Sequence, residues 1–196
     1  GFSVRGIARI ISCSQDIDGF ICIPRGCKEE LFERLSDAKI TFEKEDIRQN
    51  GKNISVTFDG QLYPEQQKAA DKMLEFELGI LGAATAFGKT AVGAYLVSEC
   101  KVNALILVHN TEIMKNWLED FEKFLNIDEE PPEYKTLTGR IKKRKSVIGC
   151  MHAGHDSTTG IIDVVMISSL GKKSEINQIV KNYGLVIMDE CHHGAS

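Results

Sequence analysis

The chain has 196 residues, 42% of them hydrophobic and 27% charged, a balance that fits one globular domain or one domain with a small companion. Its longest apolar runs, Ala104 to Val108 and Leu185 to Met188, are far too short to cross a bilayer, and no basic-then-apolar leader opens the sequence. The expectation is therefore a cytoplasmic or nucleoid-associated protein without a membrane partner. A formal net charge of −4 excludes whole-molecule attraction to nucleic acid, so any such binding has to come from a local surface.

Before residue 60 the elements are short. Ala8 to Cys13 and Gly19 to Ile23 read as strands, and Pro24-Arg25-Gly26 reads as a turn. Lys28 to Ser36 reads as a helix with Leu31, Phe32 and Leu35 on one face. Asn50-Gly51, a pair favoured in tight turns, precedes a strand over Asn53 to Phe58. Residues 1–60 are thus expected to form a small α+β accessory module with little core of its own.

From Gln61 the pattern turns to alternating helices and strands. The helix Pro64 to Phe76 opens on a proline, whose missing amide hydrogen costs nothing there. Leu78 to Ala84 reads as a buried strand, Lys89 to Cys100 as a helix and Ala104 to Val108 as a second buried strand. Thr111 is the expected N-cap of an amphipathic helix reaching Leu125. Pro131-Pro132 breaks the chain before a short strand over Tyr134 to Leu137. Next comes the one dense basic run, Arg140, Lys142, Lys143, Arg144 and Lys145, which fits a solvated face and a phosphate contact equally well. Strands over Ile161 to Ile167 and Leu185 to Met188, with a helix over Ser174 to Lys181 between them, complete the series. Apolar strands alternating with amphipathic helices imply an α/β domain over 61–196, a parallel sheet with helices on both faces. Ligands of such sheets bind beyond the carboxyl ends of the strands.

The six cysteines are dispersed without a C-x-x-C pair, which points to reduced thiols. Cys150, His152 and His155 lie near one another in sequence, as do Cys191, His192 and His193, but no second ligand pair has the spacing of a structural zinc site. Spacing therefore weighs against zinc.

Two segments at the expected ligand end carry chemistry. Ala83-Ala84-Thr85-Ala86-Phe87-Gly88-Lys89-Thr90 follows an expected strand and opens a helix, the context of a phosphate loop. Backbone amides of Ala84 to Gly88 would face the phosphates, Lys89 would reach the β- and γ-phosphates, and the Thr90 hydroxyl would bind Mg²⁺. The loop departs from G-x-x-x-x-G-K-T, with Ala83 at the first glycine position and Ala86 at a position often filled by glycine. Were Ala86 left-handed, it would cost on the order of 1 kcal/mol. The second segment, Leu185 to Glu190, is an apolar strand ending in two carboxylates. Unpaired charge at such a tip is costly, and a metal accounts for it. Asp189 would hold Mg²⁺, and Glu190 would orient or deprotonate an attacking water.

These motifs resemble superfamily 2 helicases of the D-E-x-H branch, which includes restriction-enzyme motor subunits and XPB-like repair helicases. Residues 84–90 are similar to motif I and Asp189-Glu190-Cys191-His192 to motif II, with His192 the coupling residue. Leu62-Tyr63-Pro64-Glu65-Gln66 resembles the upstream adenine motif, with tyrosine in place of arginine, which implies that Gln66 reads the adenine edge. Leu107 to Trp117 resembles motif Ia, with His109 and Asn116 replacing the usual proline and glutamine. Trp117 itself reads more readily as core packing. Val164 to Leu170 resembles the strand and polar turn below the nucleic-acid groove, and Asn110, Ser168 and Ser169 are the implied nucleic-acid contacts. Pro24-Arg25-Gly26-Cys27, the form of the loop and the Asp-Glu-Cys-His-His ending also resemble the TOTE type of conflict-system helicase.

The resemblance implies a RecA-like fold, ATP and Mg²⁺ as cofactors, DNA (favoured) or RNA as partner, and catalysis by Lys89, Asp189 and Glu190. It also implies a second RecA-like domain of the same parent chain, supplying an arginine finger, without which this chain should turn over little ATP. Two other readings stay open: a phosphate-loop ATPase that does not act on nucleic acid, and a nucleotide-binding module without catalysis.

Overall fold

The computed structural model describes residues 14–17, 20–43, 45, 49–136, 138–170 and 179–191. The chain divides into two compact units, residues 1–47 and 48–196.

In the first unit, β1 (Gln15–Ile17) pairs antiparallel with β2 (Phe20–Cys22), and α1 (Lys28–Asp37) follows a single 3₁₀ turn. No residue of α1 is buried. Phe32 of α1 stacks on Phe42, with ring centres 5.3 Å apart. The strand expected over Ala8 to Cys13 lies outside the described residues.

The second unit contains β3 (Val56–Phe58), α2 (Pro64–Leu74), α3 (Lys89–Cys100), β4 (Ala104–Val108), α4 (Thr111–Phe124) and β5 (Leu125–Ile127). After these come β6 (Glu133–Lys135), β7 (Ile141–Lys143), β8 (Ile148–His152), β9 (His155–Asp156), β10 (Ile162–Met166) and β11 (Leu185–Met188). The main sheet runs β11-β4-β10-β8-β9, its first four strands parallel and β9 antiparallel at the edge. This is the α/β, RecA-like architecture expected.

Strand alternation sorts the core. Ala104, Ile106, Val108, Ile162 and Val164 face Ala94 and Val97 of α3 and Met114, Trp117 and Phe121 of α4. Leu105, Leu107 and Val165 face the other way, where Leu170 and Tyr183 cover them. The helix expected over Ser174 to Lys181 falls mostly outside the described residues; Ile179 and Val180 are helical and pack on this second face. Gly93, in the middle of α3, permits a close helix contact: a methyl group there would come within 2.4 Å of the Trp117 ring.

Three expectations need correction. Leu78 to Ala84 forms no strand, and Leu78 and Ile80 are 59% and 84% exposed. An apolar run becomes a strand only beside a partner that takes up its amide and carbonyl groups, and Gly79 and Gly82 weaken this one further. The N-cap of α4 is Asn110, whose side chain accepts the Ile113 amide hydrogen at 2.8 Å, and not Thr111, which starts the helix. The strand ending at Phe58 pairs with β5 inside the second unit, although in sequence it reads as the end of the N-terminal module. β1, β5, β7, β8 and β9 have no counterpart in the sequence reading.

Candidate functional site

The loop after Ala83 turns through Ala86 at φ 63° and Gly88 at φ 84°, then enters α3 at Lys89. Both residues are left-handed, so Ala86 carries the alanine penalty that glycine would avoid. Helix α3 thus begins with free amides beside the Lys89 side chain, the arrangement that favours an anion.

Across this helix start lies the end of β11. Lys89 Nζ and Glu190 Oε1 are 3.3 Å apart, joining residues 101 positions apart in sequence. Glu190 is also left-handed, at φ 51°, a strained conformation of the kind that clusters at functional sites. The Asp189 carboxylate is held from two sides: Oδ2 accepts the Trp117 indole N–H at 2.8 Å, and Oδ1 accepts the Glu190 amide at 2.9 Å. Each oxygen keeps a further lone pair. Trp117 is thus both buried core and the aligner of Asp189, a role that sequence reasoning missed; Gly93, a glycine inside a helix, was the available signal.

Gln66 sits beneath the loop. Its Oε1 accepts the Tyr63 amide at 2.8 Å and its Nε2 donates to the Phe87 carbonyl at 2.6 Å, tying the start of α2 to the phosphate loop. An amide so engaged still has one N–H and one lone pair to offer. The Thr90 hydroxyl donates to Asp120 on α4, another residue that sequence reasoning did not single out. Ala86 to Thr90, Asn116, Glu119, Asp120 and Asp189 line a cavity of about 350 Å³. Among these donors Thr90, Asp120 and Asp189 supply oxygen only, the chemistry suited to Mg²⁺.

The expected nucleic-acid residues share the same end of the sheet. Asn110 follows β4, and Ser168 and Ser169 follow β10 in a 3₁₀ turn, with Val108 and Met166 in register on these neighbouring strands. Asn110 is committed to capping α4, Ser168 is exposed, and Ser169 Oγ accepts the Ala153 amide at 3.1 Å. His192 lies outside the described residues. In the basic run, Lys143 pairs with Glu130 at 2.7 Å, and the Arg144 guanidinium lies 4.2 Å from the centre of the Tyr134 ring.

Three relatives are similar to the chain over 133 to 142 residues. The DNA 3'-5' translocase XPB2 of Sulfurisphaera tokodaii is 28% identical over 133 residues, 68% of this chain and 25% of the relative. An ATP-dependent RNA helicase of Acanthamoeba polyphaga mimivirus is 27% identical over 142 residues, 70% of this chain and 24% of the relative. The DNA 3'-5' helicase XPB of Kineococcus radiotolerans is 26% identical over 141 residues, 71% of this chain and 23% of the relative. The chain spans about a quarter of the length of these relatives. The family model of the type III restriction enzyme res subunit covers residues 59–196, which hold every element of the site just described, and the chain belongs to that family.

Proposed function

We propose that this chain is the ATP-binding core of a nucleic-acid-dependent ATPase, a helicase or translocase moving on DNA in preference to RNA. The observation that carries the reading is the meeting of Lys89 and Glu190 at 3.3 Å, which brings a phosphate-binding cation and a carboxylate to one point at the carboxyl end of the sheet. The names of the three relatives, two acting on DNA and one on RNA, support the choice of partner.

In this reading the loop amides and the start of α3 cradle the phosphates, and Lys89 leaves Glu190 to neutralise the β- and γ-oxygens. Gln66 turns its remaining N–H and lone pair to the adenine edge. Thr90 and Asp189 hold Mg²⁺, with Trp117 fixing the Asp189 carboxylate. Mg²⁺ held there would offset the charge of the phosphates. Glu190, freed from Lys89, accepts a proton from the water that attacks the γ-phosphorus in line, as the bond to the β–γ bridging oxygen breaks and ADP leaves. Asn110, Ser168 and Ser169 contact the nucleic-acid backbone, and His192 couples the two sites. A second RecA-like domain of the same parent polypeptide completes the nucleotide shell, and the N-terminal unit, residues 1–47, acts as an accessory module.

The test is ATP binding and strand-stimulated hydrolysis in the parent protein. Lys89→Ala should abolish nucleotide binding. Glu190→Gln should keep binding and lower turnover by roughly 100-fold or more. Unchanged turnover in Glu190→Gln would remove Glu190 from its role, and ATPase activity indifferent to single-stranded DNA and RNA would remove the nucleic acid.

A further inference from the structure

The β8–β9 hairpin carries a cluster of soft ligands that the nucleotide site does not use. Strand alternation puts Cys150 and His152 on one face of β8. The chain then reverses through Ala153 at φ 39° and Gly154 at φ 81°, positive at both central residues, as tight hairpins favour. That turn sets His155 directly opposite His152, their rings 5.2 Å apart. The Ser157 amide donates to the Cys150 carbonyl at 2.8 Å, so the register is held beyond β9 as well.

The result is one thiol and two imidazoles whose ligand atoms all lie within 4.8 Å of one another. Zinc bonds of about 2.3 Å to sulfur and about 2.0 Å to nitrogen set tetrahedral ligand atoms roughly 3.5 Å apart. Side-chain rotation covers the difference, since Cys150 and His152 are half-buried and His155 is exposed. Linear spacing argues against zinc because it shows no second ligand pair; the hairpin register brings the third ligand in from the opposing strand.

We propose that Cys150, His152 and His155 bind one zinc-class divalent ion. A thiolate with two imidazoles suits Zn²⁺ or Co²⁺, whereas Mg²⁺ prefers the all-oxygen set at Thr90 and Asp189. Three protein ligands leave a fourth position for water or an incoming donor. Binding releases the Cys150 thiol proton to solvent. The ion pins the two-residue strand β9 to β8 at the edge of the sheet. It also steadies the turn whose Ala153 amide donates to Ser169, so the clamp reaches the Ile167–Ser169 turn after β10. None of this depends on the nucleotide reading.

Titration of the metal-stripped chain with Co²⁺ tests the site. One equivalent should bind with a thiolate-to-cobalt charge-transfer band in the near ultraviolet, and Zn²⁺ should bleach it. Cys150→Ser should abolish the band. His155→Ala, at an exposed position, should keep the fold by circular dichroism and weaken affinity by at least roughly tenfold. Cys191→Ser should leave the band intact. The proposal fails if folded wild-type chain gives no band, or if the band survives Cys150→Ser and vanishes in Cys191→Ser, which would move the metal to Cys191, His192 and His193.

Discussion

The two ends of the central sheet spend their polar groups differently. At the amino end, before β4, buried Asn103 uses its whole amide: Oδ1 accepts the Lys52 and Gly184 amides at 2.8 and 3.1 Å, and Nδ2 donates to the Gly160 and Asn182 carbonyls at 3.0 and 2.8 Å. Beside it, Asp163 of β10 accepts the amides of Thr159 and Gly160 at 2.8 and 2.7 Å and the Tyr183 hydroxyl at 2.6 Å. At the carboxyl end, Asp189 and Gln66 are each anchored but keep unused capacity, Lys89 and Glu190 meet at a loose 3.3 Å, and Ala86 and Glu190 are left-handed. Saturated polar groups fix a fold, while spare lone pairs and strained backbone leave room for a ligand.

Asn103→Ala should show the largest effect on stability. It leaves the Lys52 amide and the carbonyls of Gly160 and Asn182 without their partner, at roughly 1 kcal/mol each, while the Gly184 amide keeps the Asn103 backbone carbonyl at 3.1 Å, so urea unfolding should report a loss of about 3 kcal/mol. Nucleotide affinity of the chain that remains folded should not move. A loss under about 1 kcal/mol would break the comparison, because the amino end would then not be where stability resides.

The contrast also separates what the sequence makes legible from what it does not. Lys89 and the Asp189-Glu190 pair are legible because their chemistry is written in contiguous residues at the ends of recognisable elements. The Trp117–Asp189 and Thr90–Asp120 hydrogen bonds link residues 72 and 30 positions apart, and nothing local says which side chain of α4 faces which strand. Periodicity identifies Leu78 to Ala84 as apolar but not whether a neighbour exists to pair with it. The β8–β9 hairpin escapes because Gly-Cys-Met-His has no clean alternation, and its turn is set by Ala153 and Gly154 without the usual Asn-Gly signal. Asn103 and Asp163 look like ordinary polar residues until tertiary packing surrounds them.

Tyr183→Phe sharpens the comparison by adding pH. Burial pushes the Asp163 carboxyl above its ordinary value of 3.8, against the opposing pull of hydrogen bonds from Tyr183, Thr159 and Gly160. A raised folded value means that the native state holds the proton more tightly, so this group's contribution to stability falls as pH rises from 3.8 through that value. Removing the Tyr183 hydroxyl withdraws a bond that favours the carboxylate and raises the folded value further. The cost should be about 2 kcal/mol above the folded value, where the bond is to a charged group, and about 1 kcal/mol or less below the unfolded value. A cost independent of pH between 3 and 7 would mean that Asp163 does not change charge across this range, taking ~3 as the acid end set by the carboxylate reference.

Ala86→Gly has the smallest expected effect, and its sign carries the information. At negative φ, replacing alanine by glycine costs about 0.5–1 kcal/mol, because the unfolded chain gains freedom. At the φ of 63° found for Ala86, an L-residue carries a left-handed penalty of roughly 1–2 kcal/mol that glycine escapes, so the balance reverses. Chemical denaturation should therefore show a stabilisation of about 0.5–1 kcal/mol. A destabilisation of similar size would place Ala86 in the right-handed region in solution and remove loop strain from the carboxyl end. The comparison would then rest on unused hydrogen-bonding capacity and on the left-handed Glu190.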